Sequence, residues 1–242
     1  MTIVFSGGTD TYLILANDSA VVHEFSDGHT EYTTGRKFFA QDGIGVVTMW
    51  GARDGNRLIS HLDALALSPA SHDIEDLAHA VLRYLTENYA PHKDGIGDTG
   101  YHVGGFTRDG KCRLYHIFWN VAGSGNAQTN WGAYTMEHHH LPPGAIGFLY
   151  NGRHDVVSRL MQCLVEEMNQ GKPTSFSFTA TGICRLAHFV LRASSELTRE
   201  VAPAFLVHIL SPNRRCITHQ LDPVAPSTDD TFAPILKECG LA

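Results

Sequence analysis

Thr2, Asp18 and Lys37 are of types that together could cleave an amide bond. Removal of Met1 would place Thr2 at the N-terminus, and Thr is small enough for the usual aminopeptidase to expose it. A free α-amine has a reference pKa of about 7.7–8.0, so an appreciable fraction is unprotonated at neutral pH. An N-terminal Thr therefore carries a nucleophilic hydroxyl and its general base in one residue. Lys37 is the candidate cation that holds the amine's pKa down and polarises the hydroxyl, and Asp18 is the candidate partner that keeps Lys37 charged. Each residue also has a plain reading. A Thr at position 2 is common, an Asp after an apolar strand is an ordinary turn or cap residue, and a lone Lys is ordinarily a solvated surface side chain.

Other ligand-type residues are less well spaced. Glu137-His138-His139-His140 offers metal-binding side chains, but neighbours on a strand point to opposite faces, so we expect no metal there and assign the stretch to a solvated or substrate-facing loop. The glycine-rich stretch from Gly95 to Gly105 lacks the Gly-Lys-Ser/Thr of a phosphate loop, and no cofactor is expected. Cys112, Cys163, Cys184, Cys216 and Cys239 are odd in number and widely spaced, without a Cys-x-x-Cys pair. They read as small core hydrophobes in a reducing, cytoplasmic setting.

The chain has 242 residues, with 18 Lys plus Arg against 25 Asp plus Glu, for a net charge of −7. That balance lacks the electrostatic footprint of a nucleic-acid binder. No apolar run reaches the length of a membrane-spanning helix, and the first residues do not read as a signal peptide.

The elements that would position these side chains follow from periodicity. Strands are expected at Thr2 to Ser6, Tyr12 to Ala16, Lys37 to Ala40 and Ile44 to Met49, the last two joined by a turn at Asp42-Gly43. The polar stretch from Ser26 to Thr34 reads as a separating loop. Leu58, Leu62, Leu65 and Ala66 mark one helix, and Ile74, Leu77, Ala78, Val81, Leu82 and Leu85 a second. Strands return at Tyr101 to Thr107, Arg113 to Phe118, Gly132 to Met136 and Ala145 to Leu149. A third helix follows with Val157, Leu160, Met161, Leu164, Val165 and Met168 on one face and Gly171 as its stop. A fourth carries Ile183, Leu186, Ala187, Val190 and Leu191 behind Thr181 as N-cap. A strand from Ala204 to Leu210, a shorter one near Cys216 to His219 and a loop-like tail with a short helix near Ile235 complete the chain. Residues 1–242 read as a single domain, with 220–242 a C-terminal extension. Leu160, Leu164, Leu186, Val190 and Val81 are expected to cover sheets from outside, with Ile14, Val46 and Val207 between layers.

This element order resembles the proteasome-like branch of the N-terminal-nucleophile (Ntn) hydrolases, and in particular bacterial proteasome-related peptidase subunits. The resemblance rests on Thr2-Ile3-Val4, then Leu13-Ile14-Leu15-Ala16-Asn17-Asp18-Ser19, Arg36-Lys37, Ile44-Gly45-Val46, Gly51 and the Leu58 helix. Gly104-Gly105-Phe106 through Arg113-Leu114-Tyr115-His116-Ile117 matches a family hairpin. The interval from Thr2 to Asp18 equals the family's spacing of nucleophile and carboxylate. The resemblance implies an α+β fold, a four-layer αββα sandwich, with Thr2, Lys37 and Asp18 catalytic and the Gly51 N–H as oxyanion donor. It further implies a threonine-type hydrolase of peptide or unfolded-protein substrates, assembled as a homo-oligomeric ring and served by an ATPase partner. The alternatives are a catalytically silent homologue kept for assembly or binding, and an amidohydrolase of small amides. Two departures stand out. The family's Gly-Ser-Gly turn is replaced by Tyr150-Asn151-Gly152-Arg153, with Gly123-Ser124-Gly125 read as a loop, and its Asp-x-x-Ser-Gly by Leu197 to Pro203, with Thr198 and Glu200 as polar stand-ins.

Overall fold

Turns such as those at Asp42-Gly43 and Asp109-Gly110 close hairpins of apolar strands, and the sheets grow from such local pairings. The structure is a computed structural model and describes residues 3–51, 55–65, 67–89, 99–119, 133–152, 154–170 and 179–241. Its first half holds β1 (Val4–Gly8), β2 (Leu13–Asn17), β3 (Ala20–Glu24), β4 (Thr30–Thr34), β5 (Phe38–Gln41) and β6 (Gly45–Trp50), then α1 (Gly55–Ala64) and α2 (Ile74–Asn88). Next come β7 (Gly100–Phe106), β8 (Cys112–Trp119), β9 (Tyr134–His139) and β10 (Gly147–Asn151), followed by α3 (His154–Asn169) and α4 (Ala180–Leu197). The chain closes with β11 (Phe205–Leu210), β12 (Cys216–Leu221) and α5 (Asp229–Glu238).

Among the described residues three antiparallel sheets result. The first runs β10-β1-β2-β11-β12, the second β5-β6-β7-β8-β9, and β3-β4 is a ribbon of its own. The Asp42-Gly43 turn joins β5 to β6 as expected, with Gln41 opposite Gly45 and Phe38 opposite Thr48. The two large sheets face each other across Leu13, Leu15, Val46, Phe106, Leu114 and Leu210. Gly104 lets them come together, because a Cβ there would lie 2.5 Å from Leu13 Cδ2. On the far side of the second sheet, α2 buries Ile74, Leu77, Ala78, Val81 and Leu85 against Tyr101, Val103 and Ile117. On the far side of the first, α4 buries Ile183, Leu186, Ala187, Val190 and Leu191 against Phe5, Ile14 and Val207. Each fully buried side chain of this size contributes about 1.5–3 kcal/mol.

Several sequence expectations are corrected. The four-layer αββα sandwich of proteasome-subunit type gives way to a mostly antiparallel-sheet structure with, among the described residues, five helices. The expected helix pairs are unequal in number, because α5 packs on α4 through Phe232 and Leu236 in the same core. The stretch read as a polar loop is largely the exposed ribbon, in which Ala20 pairs with Thr34 and Glu24 with Thr30. Ile14 and Val207 lie on the α4 side of their sheet and not between the sheets, whereas Val46 does lie between them. The N-cap of α4 is Thr179, whose hydroxyl accepts from Gly182 N at 3.2 Å, so Thr181 is already inside the helix. Val165 of α3 is half-exposed, while Val157 is buried and Leu160 half-buried against the core. Gly171 and the side chains of Leu164 and Met168 lie outside the described residues.

Candidate functional site

The local fold around Asp18 is set by a strand that ends in polar residues. β2 runs through the middle of its sheet and delivers Asn17 and Asp18 at its end, both fully buried. The Asp18 carboxylate accepts from three directions: Ala20 N to Oδ2 at 2.8 Å, Ile3 N to Oδ1 at 3.2 Å, and Lys37 Nζ to Oδ2 at 3.2 Å. Lys37 precedes β5 and reaches across from the second sheet, with only 6% of its surface exposed. The site thus spans both large sheets, which the sequence positions of Asp18 and Lys37 do not reveal by themselves.

Burial dominates the electrostatics of this pair. Desolvation pushes the Asp18 carboxyl above its ordinary range, against the opposing attraction of Lys37 and the two backbone N–H groups. Desolvation likewise holds Lys37 below the ordinary lysine range, against the attraction of Asp18. Each charge is therefore tolerated because the other is 3.2 Å away.

Thr2 lies outside the described residues, as does Gly123-Ser124-Gly125. Its neighbour Ile3 is fully buried and is tied to Asp18 by the Ile3 N–H. Gly51 follows β6 with φ +61°, the left-handed region that a side chain disfavours, and it is exposed. Asp18, Lys37 and the start of β1 are brought together. Gly51 ends β6, a strand next to the β5 that Lys37 precedes.

The segment Leu197 to Pro203 supports the site through its backbone. The Ala202 and Ala204 carbonyls accept from Ser19 N (3.2 Å) and Ser19 Oγ (2.7 Å), which fixes the residue after Asp18. Thr198 instead serves the end of α4, whose C-cap it is. Asn151, where the family resemblance has a Ser, receives His102 Nε2–H on Oδ1 at 2.6 Å.

Two buried histidines are site-supporting residues that the sequence reading missed. His208 donates from Nε2 to Asn17 Oδ1 at 2.9 Å, while Asn17 Nδ2 donates to the Asp18 carbonyl at 2.8 Å. The second His208 nitrogen, Nδ1, accepts from Thr218 Oγ1 at 2.9 Å. This network holds the strand end that presents Asp18. His102 accepts from Ser6 Oγ at 2.8 Å and donates to Asn151, joining β7 to β1 and β10. The available signal was a lone His in an otherwise apolar strand, as in Ala204 to Leu210. The described side chains whose types suit a metal converge elsewhere, on β8 and β9.

No known protein-family profile matches the chain, and no curated protein matches it. Solved structures do. A Gly-1 mutant of Anbu from Hyphomicrobium sp. strain MC1 is 13% identical with a TM-score of 0.62, covering 98% of this chain and 94% of that one. Anbu from Yersinia bercovieri, described as an ancestral beta-subunit, is 16% identical with a TM-score of 0.59 over 99% and 94% of the two chains. The Anbu complex from Pseudomonas aeruginosa, solved as a helical assembly, is 14% identical with a TM-score of 0.61 over 98% and 95%. The fold is Anbu-like. This corrects the resemblance to bacterial proteasome-related peptidase subunits. Solved structures that share this arrangement of sheets over almost the whole chain include those of Anbu.

Proposed function

We propose that the chain is an Ntn-type hydrolase of Anbu-like fold that acts on amide bonds through Thr2 once Met1 is removed. The observation that carries this reading is the buried Lys37–Asp18 ion pair, tethered at 3.2 Å to the N–H of Ile3, one peptide unit from Thr2. In this mechanism Thr2 Oγ attacks the carbonyl carbon and its proton passes to the Thr2 amine. The Gly51 N–H stabilises the oxyanion. The protonated amine gives its proton to the leaving nitrogen, and an acyl-enzyme ester remains. Water hydrolyses that ester with the amine again acting as base. Lys37 sets the local potential and Asp18 anchors Lys37.

The same proposal extends to assembly. One structural neighbour is described as a beta-subunit and another as a helical assembly. We infer that copies of this chain associate, enclosing sites that would otherwise cleave indiscriminately. Peptides are the substrate class, and unfolded chains would need an ATPase partner to deliver them. Among the described residues no helix is long and apolar enough to cross a membrane. The five cysteines are free, as in a reducing cytoplasm.

A silent, assembly-only role is a second reading, favoured by Asn151, which stands in place of the family's Ser and is committed to His102. Intact mass and peptide cleavage separate the two. Loss of Met1 with turnover that vanishes in Thr2→Ala supports the hydrolase. Retained Met1 with no cleavage of any amide supports the silent role. Turnover that survives in Thr2→Ala, with contaminating proteases excluded, overturns the mechanism. Light scattering that finds a 26.6 kDa monomer at micromolar concentration overturns the assembly.

A further inference from the structure

Between the two large sheets, β8 and β9 bring together three side chains that the hydrolase reading does not use. His116 lies directly opposite Glu137 in the strand register, and His139 follows Glu137 two residues on, on the same face of β9. That face is turned toward the first sheet. The residues beside them, Tyr115, Ile117 and Met136, point the other way into the α1–α2 core. One ligand atom from each of the three, two imidazole nitrogens and a carboxylate oxygen, lies within 4.8 Å of the others.

Unfilled hydrogen-bonding capacity at these side chains points to a missing partner. His116 is only 9% exposed, and its Nε2 is buried with no hydrogen-bond partner among the described residues; the same holds for His139 Nε2. An unsatisfied buried nitrogen costs about 1–3 kcal/mol; of the buried side-chain atoms left unpartnered among the described residues, these two belong to the imidazoles that converge with each other and with a carboxylate. His102 is the internal comparison. It sits edge-on to His116 with ring centroids 5.4 Å apart, yet both its nitrogens are engaged, by Ser6 and Asn151.

We propose that His116, Glu137 and His139 bind a divalent transition-metal ion, zinc(II) or a similar borderline cation, with a remaining coordination position open to water. Two imidazoles and one carboxylate suit such ions and leave a fourth position free in tetrahedral geometry. Ligand atoms around tetrahedral zinc are about 3.4 Å apart, given bonds of about 2.0–2.1 Å. The three ligand atoms, all within 4.8 Å of one another, would close by up to about 1.4 Å to reach that spacing. The ion would staple β8 to the edge strand β9. The alternation of faces that argues against Glu137 to His140 as a contiguous site removes His138, whose ring lies 5.2 Å from Tyr115 on the other face. Alternation leaves Glu137 and His139 together, and the third ligand comes from the neighbouring strand.

The test is calorimetric titration of chelator-treated full-length protein with zinc chloride, repeated with cobalt(II) to read the visible bands of a tetrahedral site. The proposal expects one ion per chain at micromolar affinity or tighter, with tetrahedral cobalt bands. His139→Gln, partly exposed and safe for folding, is expected to weaken binding at least 100-fold, a loss at the upper end of what removing an outer-shell partner costs. Glu137→Gln is expected to abolish the tetrahedral bands, and His138→Gln to leave affinity within about twofold. No binding by wild type, or binding that is unchanged in both His139→Gln and Glu137→Gln, overturns the site. Binding lost in His138→Gln but kept in His139→Gln places the ion on the other face and overturns it equally.

Discussion

Removing one member of the Lys37–Asp18 pair should cost far more than removing both. Lys37 Nζ and Asp18 Oδ2 are 3.2 Å apart with almost no solvent contact. At an effective dielectric of about 20 their attraction is about 5 kcal/mol, which roughly offsets what burial takes from each charge. Asp18→Asn takes the Asp18 countercharge from a buried ammonium, and Lys37→Met takes the Lys37 countercharge from a buried carboxylate. Each should lower stability by about 3–5 kcal/mol. The double variant leaves no uncompensated charge and should cost no more than either single change. The coupling energy is then about 3–5 kcal/mol. Urea unfolding of the four proteins at pH 7 and matched concentration measures it directly. Single losses that add to within about 0.5 kcal/mol in the double variant would mean that the two charges are solvated separately, and would refute the buried pair. Because each of the three variants lacks Asp18, Lys37 or both, all should be severely impaired in amide cleavage. Stability and activity should therefore part company in the double variant.

Four further outcomes follow from the same structure. Burial pushes His208 down to about 3, so at pH 5 the unfolded chain takes up a proton that the folded chain refuses. The stability that neutral His208 provides is complete above about pH 6.5 and is lost as pH falls toward 3. The loss is about 2 kcal/mol by pH 5, and His208→Gln should flatten the pH dependence of urea stability by that amount. A Gly104→Val variant should lose about 1–3 kcal/mol by thermal unfolding, because its side chain would collide with Leu13 and Leu15. Thr179→Ala should cost about 1 kcal/mol of stability, more than Thr181→Ala in the same assay, since Thr179 is the residue that caps α4. In peptide cleavage Thr2→Ala should abolish turnover, Lys37→Ala nearly so, and Asp18→Ala somewhat less, since Asp18 acts only through its hold on Lys37.

Periodicity carried much of the architecture. The helical faces of α2 and α4 were legible because one side of each meets solvent and the other a sheet, so the apolar spacing stands out. The exposed ribbon β3-β4 was not, because all five residues of β4 face solvent and its composition is that of a loop. The tail's helix was legible near Ile235, but its anchoring through Phe232 and Leu236 was not. Of the candidate site, the pairing of Asp18 with Lys37 was expected from the family resemblance, and the ion pair is present at 3.2 Å. The Asn17–His208–Thr218 network was missed because hydrogen bonds between distant strands leave no local pattern.

The sequence by itself determined where most strands and helices form and which residues near the start of the chain are candidates for chemistry. These are short-range properties of turn residues, period and charge. Only the tertiary structure decided which face of a doubly buried strand looks where. β2 is buried along its whole length, so Ile14 and Leu15 are equally apolar in sequence, yet one meets α4 and the other the opposite sheet. A strand covered on both sides shows no alternation to read, and its facing is set by the register of its neighbours. For the same reason only strand pairing could place His116 beside Glu137 and His139, and only the meeting of the two large sheets could bring Lys37 to Asp18.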